Sequence, residues 1–198
     1  MFKRIVSFDI GIRNLAYCVI ETVETSVETP SETSEKRGTF SIKDWDIISL
    51  CEKSEKVKEV PLQVLCKRMG EKLSSNRALL DVDCVVLENQ PSYINPKMKS
   101  IQMMLFTFFV HRGIKDVMMF APRQKLSVYK GPPVECHLKS KYSRTKFLGI
   151  SYCRHMIQHL PLLDFFNQHK KKDDLADSLL QGILFLMKKN KYSCYELI

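Results

Sequence analysis

Apolar and polar positions change period several times along this chain, and each change marks an element. Residues 3–9, KRIVSFD, form a β-branched and aromatic run that breaks at Gly11. Residues 14–21, NLAYCVIE, follow after a tight connection, and the two runs together predict a β-hairpin. DWDIISL at 44–50 predicts a third strand. From Pro61, residues Leu62, Leu65, Met69 and Leu73 recur at helical spacing, and proline suits a first turn, so a helix is expected over 61–76. VDCVVLE at 82–88 is almost continuously apolar, as a central strand covered on both faces should be.

A second helix is predicted over 97–111, with Ile101, Met104, Leu105, Phe108 and Phe109 along one side and Gly113 as its stop. Met103, Phe106 and Val110 make its other side apolar too, so it should be buried within the fold or against a second subunit. DVMMFA at 116–121 predicts another strand, 122–146 a basic loop, and 145–159 and 173–189 two further helices. Strands first and then strand and helix in alternation predict an α/β sheet with helical crossovers, in one domain spanning 1–198. Residues 22–38, TVETSVETPSETSEKRG, are too polar to bury themselves and are expected to form a mobile hairpin tip.

Composition narrows the class. Of 198 residues, 44% are hydrophobic and 27% charged, which suits a folded globular chain. Thirty-one Lys and Arg against 22 Asp and Glu leave a formal charge of +9, which favours a polyanionic partner such as nucleic acid. The seven cysteines include no CxxC pair and several sit in apolar runs, pointing to free thiols in a reducing compartment rather than disulfides or a zinc ribbon. The first residues do not read as a signal peptide, and no apolar stretch reaches membrane-spanning length. A soluble intracellular protein without a membrane partner is expected.

The carboxylates carry the candidate chemistry. Asp9 and Glu88 each end an apolar strand, followed by strand-breaking residues (IG and NQP), and the carboxyl ends of strands are where open α/β sheets bind ligands. If the two strands are parallel neighbours, the two acids converge. In KKKDDLADSLLQG, residues 170–182, Asp174 and Asp177 stand three apart on the predicted helix, with Cβ atoms about 5–6 Å apart on one face. Such a cluster of hard oxygen donors suits Mg²⁺ or Mn²⁺, and two ions about 3.5–4 Å apart can catalyse phosphodiester hydrolysis. Lys170, Lys171 and Lys172 would then contact phosphate. Taken singly, each feature has a plainer reading: Asp173 and Asp174 as dipole-complementing first-turn acids, Asp9 as a turn residue before glycine, the lysines as a solvated run. The constellation favours the metal site.

VSFDIGIRNLAYCVIE, VVLENQP and KKDDLADSLLQG, in that order, resemble the RuvC-type Holliday-junction resolvases of the RNase H-like superfamily, in particular the yeast mitochondrial and the poxvirus-like, large-DNA-virus branches. The likeness runs from residue 4 to about 186, with 22–38 and 126–143 as departures. It implies an RNase H-like mixed sheet with helices on both faces. It also implies a homodimeric, Mg²⁺-dependent nuclease with two ions per site, Mn²⁺ substituting, that nicks four-way branched DNA symmetrically and needs no organic cofactor. Asp9, Glu88, Asp174 and Asp177 match its four metal-binding acids, with Asp173 an alternative to Asp174. A basic residue assists the phosphate in relatives, and Lys146 is the best match, Lys125 the next.

DNA contacts are expected from Arg123, Lys125, Lys139, Lys141 and Arg144 of the basic loop as well as from Lys170 to Lys172. Tyr93 and Lys97 could touch opened junction DNA, although a packed loop aromatic is the preferred reading of Tyr93. His155 and His159 stand one turn apart but have no third ligand nearby in sequence. Competing readings are another RNase H-like nuclease acting on hybrids or duplexes, a non-catalytic DNA-binding module, and an actin-like phosphotransferase, the last disfavoured by the lack of a glycine-rich phosphate loop. The expected setting is a viral replication site in the host cell, with the mitochondrion as the alternative.

Overall fold

The computed structural model describes residues 2–23, 37–93, 95–121 and 123–198. Most of the expected mobile tip, residues 24–36, lies outside the described residues, while the ends of that segment belong to strands. Six strands form one mixed sheet: β1 (Arg4–Asp9), β2 (Leu15–Val23), β3 (Arg37–Ile48), β4 (Cys84–Glu88), β5 (Asp116–Phe120) and β6 (Cys194–Leu197), in the order β5-β4-β1-β2-β3-β6. β1, β2 and β3 are an antiparallel meander, and β4, β5 and β6 add in parallel. The parallel pairing of β1 with β4 sets Ile5 opposite Cys84 and Phe8 opposite Leu87, so Asp9 and Glu88 end neighbouring strands on the same edge.

Side chains alternate between faces along a strand, and that parity assigns the acids. Val6, Phe8, Val85 and Leu87 pack on one face against α1 (Leu62–Ser75) and α3 (Pro96–His111), and the short α2 (Arg77–Leu80) leads from α1 into β4. Ile5, Cys84 and Val86 pack on the other face against α6 (Lys172–Asn190), flanked by α4 (Lys141–Met156) and α5 (Leu162–Gln168). Asp9 and Glu88 have the parity of Ile5 and Val86, which is the α6 side. The expected α/β sheet with helices on both faces is therefore the observed architecture.

Several boundaries differ from expectation. α4 begins at Lys141, capped by the Ser140 hydroxyl, so the basic loop is shorter than 122–146 and holds a 3₁₀ turn at Lys125–Val128. β3 starts at Arg37, earlier than the polar sequence suggests, because β6 pairs with its first residues. α2, α5 and β6 carry too few residues to display a period and were not foreseen. Within the single chain α3 leaves Met103 and Val110 40% and 45% exposed, so that side is not covered by the fold itself.

Helix α6 crosses β1 and β2 at close range. A Cβ on Gly182 would stand 2.6 Å from Ile20 Cδ1 and 3.0 Å from Ser7 Cβ, so only glycine fits without displacement. One residue earlier, the buried Gln181 donates from Nε2 to Ser7 Oγ and to the Phe8 carbonyl, both at 3.0 Å. Trp45 of β3 donates from Nε1 to the Leu175 carbonyl at 3.1 Å and stacks on Phe166 of α5. Gly182→Ala is expected to destabilise the fold by about 1–3 kcal/mol, the usual cost of overpacking, as read by urea denaturation. An unchanged midpoint would mean that α6 shifts freely on the sheet.

Candidate active site

The clamp between α6 and β1 decides where the acids meet. Gln181 is bonded to Phe8, the residue before Asp9, and Asp177 lies one helical turn before Gln181. Asp177 is thereby brought to the strand ends that carry Asp9 and Glu88. The Asp9 carboxyl is pushed well above the ordinary carboxylate range, first by burial, then by the charge of Glu88, by a hydrogen bond to Glu88 and by the charge of Asp177, with Lys125 opposing. Asp177 is also pushed up by burial, and the Lys125 ammonium, 2.6 Å from its Oδ2, pulls it back. Glu88 accepts a 2.6 Å hydrogen bond from Gln90 Nε2.

The acidic pair at the head of α6 divides. Burial would raise Asp173, but the Lys146 ammonium at 2.5 Å from its Oδ2 outweighs that and holds its carboxyl below the usual range. Asp174 is raised, by burial first and by Asp173 next. Its Oδ2 is buried without a hydrogen-bond partner, and the Lys171 ammonium stands 3.8 Å away. Both acids stand in the first turn of α6, as the dipole-complementing reading expects, while the N-cap residue Lys171 makes no side-chain capping bond.

Among the described residues no three Asp, Glu, His or Cys side chains are placed so that together they could hold a metal ion. The donor set nevertheless fits a divalent cation. Asp9 and Asp177 are largely buried carboxylates raised by burial and by the charge of Glu88, and Asp174 Oδ2 is buried with no hydrogen-bond donor. Carboxylate oxygens in a cluster of this kind suit Mg²⁺ or Mn²⁺.

The lysines rank differently from expectation. Lys125, second choice from the sequence, contacts the acid cluster because the 3₁₀ turn that it heads packs on α6 through the buried Val128. Lys146, the first choice, binds Asp173 instead and lies over the Tyr142 ring at 5.0 Å. Of the expected DNA-contacting residues, Arg123, Lys139, Lys141, Arg144, Lys170 and Lys171 are exposed. Lys125 is committed to Asp177, and Lys172 donates from Nζ to the His169 carbonyl at 2.8 Å, so neither is a free rim cation.

Tyr93 is 86% exposed, which overturns the preferred packed reading: the turn after Glu88 holds it away from the core. Lys97 instead ties down residues 57–60, donating to the Val57 and Val60 carbonyls at 2.6 and 2.7 Å. His155 and His159 bond separately, to the Tyr129 hydroxyl and the Leu197 carbonyl. Gln90 and Gln181 were missed from the sequence; their signal was a polar amide inside or beside an apolar run, next to a candidate acid.

The sequence profile of the family described as Poxvirus A22 protein matches residues 3–189. This chain belongs to that family. An uncharacterized protein of Acanthamoeba polyphaga mimivirus, L451, is 41% identical over 131 residues, which is 59% of this chain and 32% of that protein. The shared region thus spans about a third of the relative's length. Among solved structures, fowlpox virus resolvase in complex with Holliday junction DNA superposes with a TM-score of 0.61 at 21% identity, covering 94% of this chain and 98% of that one. Thermus thermophilus RuvC gives 0.57 at 13% over 94% and 96%, and the yeast mitochondrial Holliday junction resolvase Ydc2 gives 0.57 at 16% over 95% and 84%. This family member therefore has the fold of the RuvC-type resolvases.

A pH prediction follows from the raised Asp9. A carboxyl whose folded-state pKa lies above its unfolded value stabilises the fold fully below the unfolded value, and that contribution is lost as pH rises through the folded one. In chelator, the melting temperature of Asp9→Asn minus that of the wild type should therefore grow between about pH 4.5 and pH 8. A difference that stays constant across this range would show Asp9 ionising as an ordinary carboxylate.

Proposed function

We propose that this chain is a Holliday-junction resolvase, an endonuclease that hydrolyses paired phosphodiesters in four-way DNA junctions with divalent metal. The observation that carries this reading is the convergence of Asp9, Glu88 and Asp177 from three elements onto one enclosed sheet edge. Membership of a viral family and the fold shared with proteins solved as junction resolvases support it.

Asp9, Glu88, Asp177 and Asp174 are the residues that would hold two Mg²⁺ ions, with Mn²⁺ substituting. Asp174 is preferred to Asp173 because its Oδ2 accepts no hydrogen bond and has Lys171 only at 3.8 Å, while Asp173 is bonded to Lys146 at 2.5 Å. When bound, the ions supply an activated water and stabilise the leaving oxygen. Lys125, already beside Asp177, places a positive charge where the scissile phosphate would develop negative charge. Lys146 keeps Asp173 in place at the head of α6. Arg123, Lys139, Lys141, Arg144, Lys170 and Lys171 form a basic rim for the DNA backbone, and the exposed Tyr93, just past Glu88, offers a ring for an unpaired base.

The two nicks call for two sites, and a twofold dimer matches a near-twofold substrate. The surface offered for a second copy is the groove of about 790 Å³ between α1 and α3, where Leu62, Met103, Met104 and Phe108 meet. The viral family and the mimivirus relative support action at a viral replication site.

With Mg²⁺, the wild type should nick a labelled four-way junction symmetrically, and EDTA should stop it. Asp9→Asn and Asp177→Asn should lower cleavage about 100-fold or more while junction binding is kept or strengthened, since negative charge facing phosphate is removed. Binding lost along with cleavage would assign these acids to the fold, and cleavage of an RNA–DNA hybrid but not of a junction would point to a different RNase H-like nuclease. Leu62→Glu combined with Met103→Glu should give a monomer in sedimentation that makes unpaired nicks; a wild type already monomeric at micromolar concentration would remove the α1–α3 groove as the interface.

A further inference from the structure

In VVLENQP, the metal-site reading uses only Glu88, yet the residues after it are held by a specific set of bonds. The Asn89 N–H donates to the Phe120 carbonyl at 2.9 Å, which continues the pairing of β4 with β5. The Gln90 N–H donates to Gln102 Oε1 at 3.0 Å. The Gln90 side chain then turns back and donates from Nε2 to Glu88 Oε2 at 2.6 Å.

Gln102 is a fully buried amide on α3. Its Oε1 accepts from Gln90 N–H and, at 3.0 Å, from Lys99 Nζ, so two donors converge on one oxygen. Turning the amide over would set its NH₂ against an N–H and an ammonium, so its orientation is forced. The consequence is visible at the other end, where Nε2 is buried with no hydrogen-bond partner. An unpaired buried donor is costly, and a methionine of similar length would fill the same space without one. What Gln102 supplies that methionine lacks is an acceptor at the Gln90 backbone.

We infer that Gln102 and Gln90 are positioning residues for Glu88: the Gln102 oxygen holds the backbone at residue 90, and the Gln90 amide sets the direction of the Glu88 carboxylate. Groups that hydrogen-bond a ligand carboxylate and fix its direction in this way govern cation affinity. The inference rests on the metal-site reading, and the test separates the two. Mn²⁺ is titrated calorimetrically into DNA-free protein, and melting curves are recorded in chelator.

Gln90→Ala and Gln102→Met should each weaken Mn²⁺ binding about 10-fold. The double variant should be little worse than either single one, because both break the same path. Gln102→Glu should keep wild-type affinity, since a carboxylate oxygen can accept from both donors. A merely structural role predicts the opposite pattern, with lowered melting temperatures and Mn²⁺ affinities within twofold of wild type, and would overturn the relay. Equal loss in Gln102→Glu and Gln102→Met would overturn it too. If Gln102→Met does not fold, Gln90→Ala, on the loop, decides alone. Wild-type protein that binds no Mn²⁺ would remove the metal-site reading and the relay together, whereas wild-type binding with unaffected variants removes the relay alone.

Discussion

Helix α6 lies flush on β1 because residue 182 has no side chain, and the amide of Gln181 sets its position along the strand. The rest of the site depends on that contact. Asp9 is carried by β1, Asp177 by α6, and the two belong to elements far apart in the chain; a slip of α6 by one residue would rotate Asp177 about 100° away from the sheet edge. Trp45 reinforces the register from β3 through the Leu175 carbonyl and Ser178. Packing, rather than any polar network among the acids, thus determines that the carboxylates meet.

Once brought together, the acids repel. Burial and mutual charge raise Asp9, Asp174 and Asp177, and two lysines offset part of that cost in different ways. Lys125 enters the cluster from the 3₁₀ turn, and Lys146 pairs with Asp173, whose charge still raises Asp174. The site is therefore a compact anionic cluster, partly neutralised by the Lys125 ammonium, in which Asp9 and Glu88 are hydrogen-bonded. A divalent cation would satisfy the same charge more completely, which links the repulsion among these acids to the proposed chemistry. The basic rim outside this pocket is a separate layer, formed by the exposed cations at the N-terminal ends of α4 and α6.

The elements legible in the sequence were those long enough to show a period. The apolar runs of β1 and β4 and the helical spacing in α1, α3 and α6 declared themselves, and strand parity alone was enough to put Asp9 and Glu88 on one face once β1 and β4 were neighbours. β6 and α5 were illegible because each has fewer than eight residues and its burial depends on a partner, β3 for one and Trp45 for the other. Tyr93 was misjudged because an aromatic residue in a loop carries no sign of whether anything will cover it.

By itself the sequence determined the kinds of groups available: strand-end carboxylates, an acidic turn at a helix head, many cations, and hard oxygen donors in place of thiolate or imidazole. Tertiary structure decided among equivalents. It set Lys125 against Asp177 and Lys146 against Asp173, left Asp174 rather than Asp173 with a buried oxygen that accepts no hydrogen bond, and turned Gln90 towards Glu88. The reason is that local pattern records which face of an element a residue occupies, whereas a contact between two charged side chains depends on the rotation and offset of one element against another, which is set only when the core between them packs.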